Sequence, residues 1–348
     1  MKYLIMSIFS FLSLFSCKGY SDLKDAQFEA MLADDASAQL VDVRTPEEYA
    51  EGHLRGAINI DWYADDFMTK AEALLLKDRP VLVYCRSGRR SASASAKLEE
   101  AGFKVYNLLG GYLGWTDAGK PVSTYGVERF ITPSGEPVDI SLIKHGSLEL
   151  RFRGLSIQVD PVSGLGKPTD YAAEFPKADF ILVTHEHGDH LDKVAIDALA
   201  KEDTHIVMNE SVAELLRWRG YGEIMHNGDE SDLADGILLE AVPAYNYTEG
   251  HLQFHPKGRD NGFVLTLDGL RIYIAGDTED IPEMAEIKDI DIAFLPVNQP
   301  YTMTVEQCVK AANMIKPKVL IPYHFGQTDL SGLPEQLPDI KVLLRQMQ

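Results

Sequence analysis

The chain has 348 residues, of which 45% are hydrophobic and 25% charged. At roughly 100–200 residues per domain this suggests two domains, each with enough apolar residues for its own core. A formal net charge of −20 argues against nucleic-acid binding through a general electrostatic field.

In chain order, the first feature is a targeting pattern. Lys2 forms a short positive region, and Tyr3 to Phe15 is an almost continuous apolar run, too short to span a bilayer comfortably. The run ends in Leu14-Phe15-Ser16-Cys17, which resembles a bacterial lipobox. That resemblance implies a lipid on Cys17, the mature N-terminus there, and a membrane-anchored lipoprotein of the bacterial cell envelope, periplasmic or outer-membrane. A plain secretory signal cleaved near Ser16 is the alternative. No later stretch is long and apolar enough for a membrane helix. Beyond Cys17 the cysteines are Cys85 and Cys308, which do not suggest a disulfide framework. Cys308 lies in a run with helical apolar spacing, Val305 to Ile315, and reads as a buried core thiol.

Residues 21–122 alternate strand and helix patterns. Leu40-Val41-Asp42-Val43 reads as a strand, and Pro46 to Ala50 begins a helix behind Thr45 as N-cap. Val81 to Tyr84 is a continuous apolar strand, a helix follows from about Gly88 to Ala101, and Lys104 to Leu108 is a further strand. This rhythm predicts a small parallel-sheet α/β domain. Between strand and helix lies Cys85-Arg86-Ser87-Gly88-Arg89-Arg90-Ser91. A helix N-terminus and nearby arginines stabilise a thiolate, the reactive form of cysteine, and such a loop can also cradle an anion on its N–H groups. The segment resembles the rhodanese family. The resemblance is carried by Leu40 to Tyr49, by Gly52-His53-Leu54-Arg55-Gly56-Ala57-Ile58-Asn59-Ile60, by the cysteine loop, and by Gly110-Gly111-Tyr112 with Trp115. It implies that Cys85 accepts sulfur from a sulfane-sulfur donor as a persulfide. It also implies that Asp42 and Arg44 order the site, and that Arg86, Ser87, Gly88, Arg89 and Arg90 surround the bound anion. Related phosphatases have a loop one residue longer, with arginine where this chain has Ser91. The loop is therefore of sulfurtransferase length.

Residues 123–137, rich in Pro, Gly, Ser and Thr, are expected to be a linker. Beyond it, consecutive strand patterns at 138–160 break at Lys144-His145-Gly146 and Arg153-Gly154. Further strands are expected at 179–184, 204–208, 237–242, 262–267 and 271–275. Helices are expected at 192–200, 210–218 and 304–315. This mixture predicts a layered αββα domain over 138–348.

The strand Phe180 to Thr184 runs into His185-Glu186-His187-Gly188-Asp189-His190. Two imidazoles one residue apart can reach one metal ion from a tight turn, and the Asp and His beyond them can reach a second. Neutral imidazole and carboxylate suit zinc, manganese or iron. The motif resembles the metallo-β-lactamase superfamily, with Asp277 in Ala275-Gly276-Asp277-Thr278 and His324 in Pro322-Tyr323-His324-Phe325 following in the expected order. Within it, the branch containing L-ascorbate-6-phosphate lactonase is the most similar. His145-Gly146-Ser147, Val159-Asp160-Pro161 and Pro296-Val297-Asn298 carry that finer likeness. The resemblance implies two divalent metal ions, zinc first, with manganese or iron as alternatives. His185 and His187 would hold the first ion, Asp189, His190 and His324 the second, and Asp277 would bridge. For the third histidine of the first ion, His226, His251 and His255 are candidates, as is no histidine at all. His255, nearest the strand at 262–267, is favoured. His145 is expected to line the site, either as a support behind the ligands or as a group that meets substrate. Lys257 and Arg259 face two readings, contact with an anionic substrate or plain solvation.

The expectation is thus an α/β enzyme with a rhodanese-like domain at 21–122 behind a signal at 1–20, and a metallo-β-lactamase sandwich. Its activity is expected to be metal-dependent hydrolysis of a lactone, ester or phosphodiester by a metal-activated hydroxide that Asp189 orients, beside a sulfurtransferase module. The alternative is an enzyme resembling the persulfide dioxygenases, which oxidise sulfur at a single iron.

Overall fold

The computed structural model describes residues 19–217 and 222–347, so the signal segment and Cys17 lie outside the described residues. The described residues fall into two compact units, one of residues up to 44 with 60–120, the other of 45–59 with the chain from 121 onward.

In the first unit, strands Gln39–Asp42, Pro80–Tyr84, Lys104–Leu108 and Ser21–Leu23 pair in parallel in that lateral order. Gln39–Asp42 is buried at every position, and Pro80–Tyr84 at all but its first. Such runs do not alternate, as expected of parallel strands covered on both faces. Helices Asp25–Asp34, Phe67–Leu74, Arg89–Glu100 and Gly111–Asp117 bury Phe28, Ala71, Leu98 and Trp115. In the second unit, Thr45 caps the short helix Pro46–Ala50 as the sequence predicts. Its hydroxyl accepts from Glu48 N, and the Glu48 side chain accepts from Thr45 N, a reciprocal capping box.

The second unit contains two seven-stranded sheets. The first runs laterally through Gly222–Ile224, His205–Met208, Phe180–Leu182, Leu155–Val159, Ser147–Phe152, Pro137–Lys144 and Gly126–Ile131. The second runs through Glu230–Ala234, Ile237–Ala244, Asp260–Leu267, Leu270–Ile274, Ile292–Pro296, Val319–Tyr323 and Lys341–Val342. Their facing sides share one core, in which Leu142, Leu148, Phe152 and Leu182 meet Leu239, Phe263, Ile272 and Phe294. On the other side of the second sheet, helix Val305–Ile315 buries Cys308, Ala311, Ala312 and Ile315 against Tyr273, Ala293 and Leu320. Cys308 is thus a core thiol, and burial pushes it up to about 12. This is the expected αββα layering.

The stretch 123–137 differs from the expected linker. Gly126–Ile131 is a strand that pairs antiparallel with Pro137–Lys144 and forms the sheet edge. The turn-forming residues gather in the hairpin at 132–136, where Gly135 adopts a φ of 95°. Strand Ile292–Pro296, absent from the sequence reading, is buried along its whole length, so it carries no alternation by which to recognise it. Among the described residues no helix is long and apolar enough to cross a membrane.

Candidate metal centre

Strand Phe180–Leu182 lies between two parallel neighbours, and the chain leaves it through Thr184 into a tight turn. The backbone N–H groups of His190 and Leu191 both donate to His187 O, at 2.9 and 2.8 Å. His185 and His190 are fully buried, while His187 is half-buried. The two sheets are tied together here by backbone bonds, Asn261 N to Thr184 O and His324 N to His145 O, each 3.1 Å. Asp277 follows strand Leu270–Ile274 across Gly276, whose φ is 65° and whose Cβ, if present, would stand 2.8 Å from Asn261 O. Only glycine satisfies both demands, so the approach of Asp277 depends on it.

Among the described residues two donor groups form, overlapped by a third made of His185, His190 and Asp277. His185, His187 and His255 make one, and His145, Asp189, His190 and His324 the other, with one ligand atom from each residue within 4.8 Å of the rest of its group. Asp277 stands between them. Its Oδ2 is 3.8 Å from His185 Nε2, 3.4 Å from His255 Nε2 and 3.2 Å from His324 Nε2, and its Oδ1 is 3.2 Å from His190 Nε2. The structure therefore brings together His185, His187, Asp189, His190, Asp277 and His324, and of the three histidines considered for the first ion it brings His255. His226 is exposed near Glu210 and Asp229, and His251 faces Glu279.

Whether these residues fit a metal is decided by their unmet bonding. His185 Nε2, His190 Nε2, His324 Nε2 and Asp277 Oδ1 are buried with no hydrogen-bond partner. Each such atom costs about 1–3 kcal/mol, so a converging set of them is rare unless something else satisfies it. Imidazole nitrogens with carboxylate oxygens make a donor set that a divalent ion such as zinc, manganese or iron accepts.

The potential points the same way. Burial pulls His190 and His324 down, but the carboxylates outweigh it. Asp277 and Asp160 hold His190 well above the ordinary imidazole range, and Asp277 with Asp189 raises His324 to about 9. Burial raises Asp277 and Asp189, yet their histidine neighbours hold both well below the usual carboxylate range. The negative charge that these carboxylates place around buried imidazole nitrogens favours a divalent cation, which binds the neutral form of the ring. His185 and His187 instead lie below the ordinary range, through burial and neighbouring imidazoles, and so are already suited to be neutral ligands.

A further set of residues fixes the rings from behind. Asp160 Oδ2 lies 2.8 Å from His190 Nδ1 and accepts from Thr184 Oγ1 at 2.7 Å, while its Oδ1 accepts from Thr184 N at 2.8 Å. Thr184 Oγ1 is 2.9 Å from His185 Nδ1, so one carboxylate supports two ligands. Asp260 Oδ2 is 3.1 Å from His255 Nδ1 and is braced by Arg259. Bonds of this kind orient the ligand and set its tautomer. The sequence reading assigned no role to Thr184 and Asp260, and it used Asp160 only as a mark of likeness. Asp160 could have been suspected from its place at a strand end.

Lys257 and Arg259 have their charges met within the protein. Lys257 bonds Glu283 at 2.7 Å and Tyr245 Oη at 3.0 Å. Arg259 bonds Asp260 and, at 2.8 Å, Glu186. Glu186, in the middle of the histidine motif, also accepts from Ser211 and is thus turned toward Arg259.

In the first unit, Cys85 follows strand Pro80–Tyr84 and is 1% exposed, with Ser91 Oγ 3.4 Å from its sulfur. Gly88, at a φ of 88°, starts helix Arg89–Glu100. Tyr112 N and Leu113 N donate to Cys85 O and Arg86 O, and hold the loop from the neighbouring helix. Arg86, Ser87 and Arg89 are exposed around it. Arg90 lies over the Tyr63 ring, 5.5 Å away. Asp42 and Arg44 are placed differently from these anion-binding candidates. Both are buried, and the Arg44 guanidinium donates to both Asp42 oxygens. It lies 4.2 Å from the Tyr112 ring centroid, so this pair braces the helix that holds the loop.

Residues 25–118 match the rhodanese-like domain family, and residues 139–324 match the beta-lactamase superfamily domain. A UPF0173 metal-dependent hydrolase of Lysinibacillus sphaericus is 31% identical over 196 residues, 54% of this chain and 86% of that protein. A second, from a Geobacillus species, is 33% identical over 190 residues, 52% of this chain and 83% of the relative. Among solved structures, a protein of Parabacteroides distasonis whose name places it with the metal-dependent hydrolases is 54% identical, with a TM-score of 0.61. That match covers 64% of this chain and 100% of the other. A metallo hydrolase of the archaeon Ignicoccus hospitalis is 25% identical, with a TM-score of 0.51, over 60% of this chain and 95% of its own.

Proposed function

The chain belongs to the beta-lactamase superfamily and is a metal-dependent hydrolase with a rhodanese-like domain, and from that premise we propose that it hydrolyses a lactone, ester or phosphodiester at a two-ion centre. The L-ascorbate-6-phosphate lactonase branch remains the finer likeness. The observation that carries the proposal is the position of Asp277, whose two oxygens face ligand nitrogens of both donor groups. When bound, divalent ions polarise the scissile carbonyl or phosphoryl oxygen and lower the pKa of a water. His185, His187 and His255 would hold one ion, and Asp189, His190 and His324 the other. Asp160 and Asp260 keep the ring nitrogens pointed inward. Asp189, partly exposed at the turn, would orient the attacking water. The water oxygen bonds to the carbonyl carbon or phosphorus, the bond to the alcohol oxygen breaks, and that oxygen takes a proton, giving an acid or phosphate and an alcohol, joined in one molecule when the substrate is a lactone.

For the rhodanese-like domain we propose sulfur transfer. Cys85 Sγ attacks the outer sulfur of a sulfane-sulfur donor, the donor leaves with the electron pair of the broken S–S bond, and the resulting persulfide passes its sulfur to a second nucleophile. For location we propose a lipid on Cys17 and a bacterial cell-envelope membrane.

Metal analysis of the purified protein with and without His185→Ala tests the centre. About two zinc or manganese ions per chain, with esterase, lactonase or phosphodiesterase activity, are expected. One iron, with oxygen uptake on glutathione persulfide, would instead establish the sulfur-oxidising reading. Thiosulfate:cyanide transfer should vanish in Cys85→Ser, and its survival would refute the persulfide role. Cys17→Ser should move the protein out of the membrane fraction; if it stays there, the lipid proposal fails.

A further inference from the structure

His145 was expected to support the ligands or to meet substrate, yet it stands among the ligand candidates themselves. It sits in the turn between strands Pro137–Lys144 and Ser147–Phe152, at a φ of 46°. Its backbone carbonyl accepts from His324 N, and His324 itself has a φ of 45°. Left-handed backbone costs a residue with a side chain roughly 1–2 kcal/mol. Here two histidines adopt it and bond to each other. The result is that their rings lie together, with centroids 3.6 Å apart and planes inclined by 42°.

That pairing turns both Nε2 atoms toward the same carboxylate oxygen. His145 Nε2 is 3.1 Å from Asp189 Oδ2, and His324 Nε2 is 3.7 Å from it. The next residue completes the packing. A Cβ on Gly146 would stand 2.7 Å from His190 Cε1, so the turn that carries His145 also forms the wall behind the His190 ring. The donor atoms of His145, Asp189, His190 and His324 all lie within 4.8 Å of one another. Ligands about 2.0–2.2 Å from one ion are at most about 4.4 Å apart, so small side-chain adjustments would bring all of them onto it.

We propose that His145 is a direct ligand of the ion position formed by Asp189, His190 and His324. The proposal rests on the two-ion reading above. With the shared Asp277, this position has five protein donors, more than the four of a tetrahedral zinc site. Such a position suits manganese or iron better than zinc. Its coordination is largely filled by protein, which leaves the substrate's room at the His185, His187 and His255 position.

Cobalt(II) titration of the intact protein tests this, with visible absorption and chelator competition as readouts and the fold checked by melting in excess chelator. Two variants separate a ligand from a mere hydrogen-bond partner of Asp189. His145→Ala removes both capabilities. His145→Gln keeps an N–H at the end of the side chain but coordinates cobalt poorly. The expected result is that both variants lose more than about 100-fold in affinity for one of the two cobalt ions, beyond the roughly 10–100-fold that an outer partner is worth. Both should also lose the same part of the cobalt spectrum. If the wild type takes up two ions and His145→Gln binds both with an unchanged spectrum, His145 is not a ligand, and the two-ion reading stands without it. If the wild type takes up one ion or none, the two-ion reading falls and the ligand role falls with it.

Discussion

Asp160→Asn tests how far the histidine ligands depend on a group that never faces the metal. The substitution preserves shape and leaves Oδ1 able to accept from Thr184 N at 2.8 Å. The other oxygen becomes an amide that points its own hydrogens at His190 Nδ1 and Thr184 Oγ1, 2.8 and 2.7 Å away. His190 must then either leave its Nδ1–H unpaired or move the proton to Nε2, the atom that faces Asp277. An unpaired buried donor costs about 1–3 kcal/mol. Loss of an outer partner typically costs roughly 10–100-fold in metal affinity, or about 1.4–2.8 kcal/mol. The two figures agree. Because Thr184 links Asp160 to His185 Nδ1, weakening is expected at both ion positions, and more at that of His190. Chelator-competition titration with zinc and with manganese measures it. Affinities within twofold of wild type at both positions, in a protein that melts normally, would show that Asp160 does not orient these rings.

Three further outcomes follow from single sites. Gly146→Ala drives a methyl group against His190, and it should reduce metal content by about one ion per chain while melting in chelator changes little; undiminished metal content would mean that the ring has room to move. Glu149 is buried, and burial pushes its carboxyl above the ordinary 4.5 despite Arg151, Ser156 and Ser141. A carboxyl raised on folding binds more protons folded than unfolded, so wild-type stability falls as pH rises from the unfolded value through the folded one. Glu149→Gln should therefore melt like wild type near pH 4 and higher than wild type at pH 8, and a gain confined to acid would contradict this. Thr304 caps helix Val305–Ile315, with its hydroxyl accepting from Gln307 N at 3.1 Å and the Gln307 side chain accepting from Thr304 N at 2.8 Å. Thr304→Ala should cost about 1 kcal/mol and lower the calorimetric melting temperature by roughly 2–4 °C, whereas an unchanged transition would mean that the cap is idle.

The sequence by itself determined the two domain types and named most of the residues that the fold gathers around Asp277. It could do so because the informative residues are local. His185 to His190 lie on one turn, the cysteine loop joins one strand to one helix, and capping and turn residues mark element ends. Where a signal was not local, the reading stopped or went astray. Glycine, proline and serine in the hairpin at 132–136 coloured the whole stretch as a linker, although Gly126–Ile131 pairs with a neighbouring strand. That Asp42 and Arg44 order the cysteine loop was implied by their motif, but that they do so as a buried guanidinium–carboxylate pair against Tyr112 is visible only in the fold. The choice among His226, His251 and His255 depends on which of them folding carries to His185, and no spacing along the chain encodes that distance. The same holds for Asp160, and for the ring of His145 laid against His324. Asp160 reaches Thr184 and His190 because strands Leu155–Val159 and Phe180–Leu182 lie side by side, and His145 meets His324 where the two sheets join, at Thr184 and His145, by backbone bonds between residues 77 and 179 positions apart. Such contacts are set by core packing between sheets, and only the tertiary structure decides them.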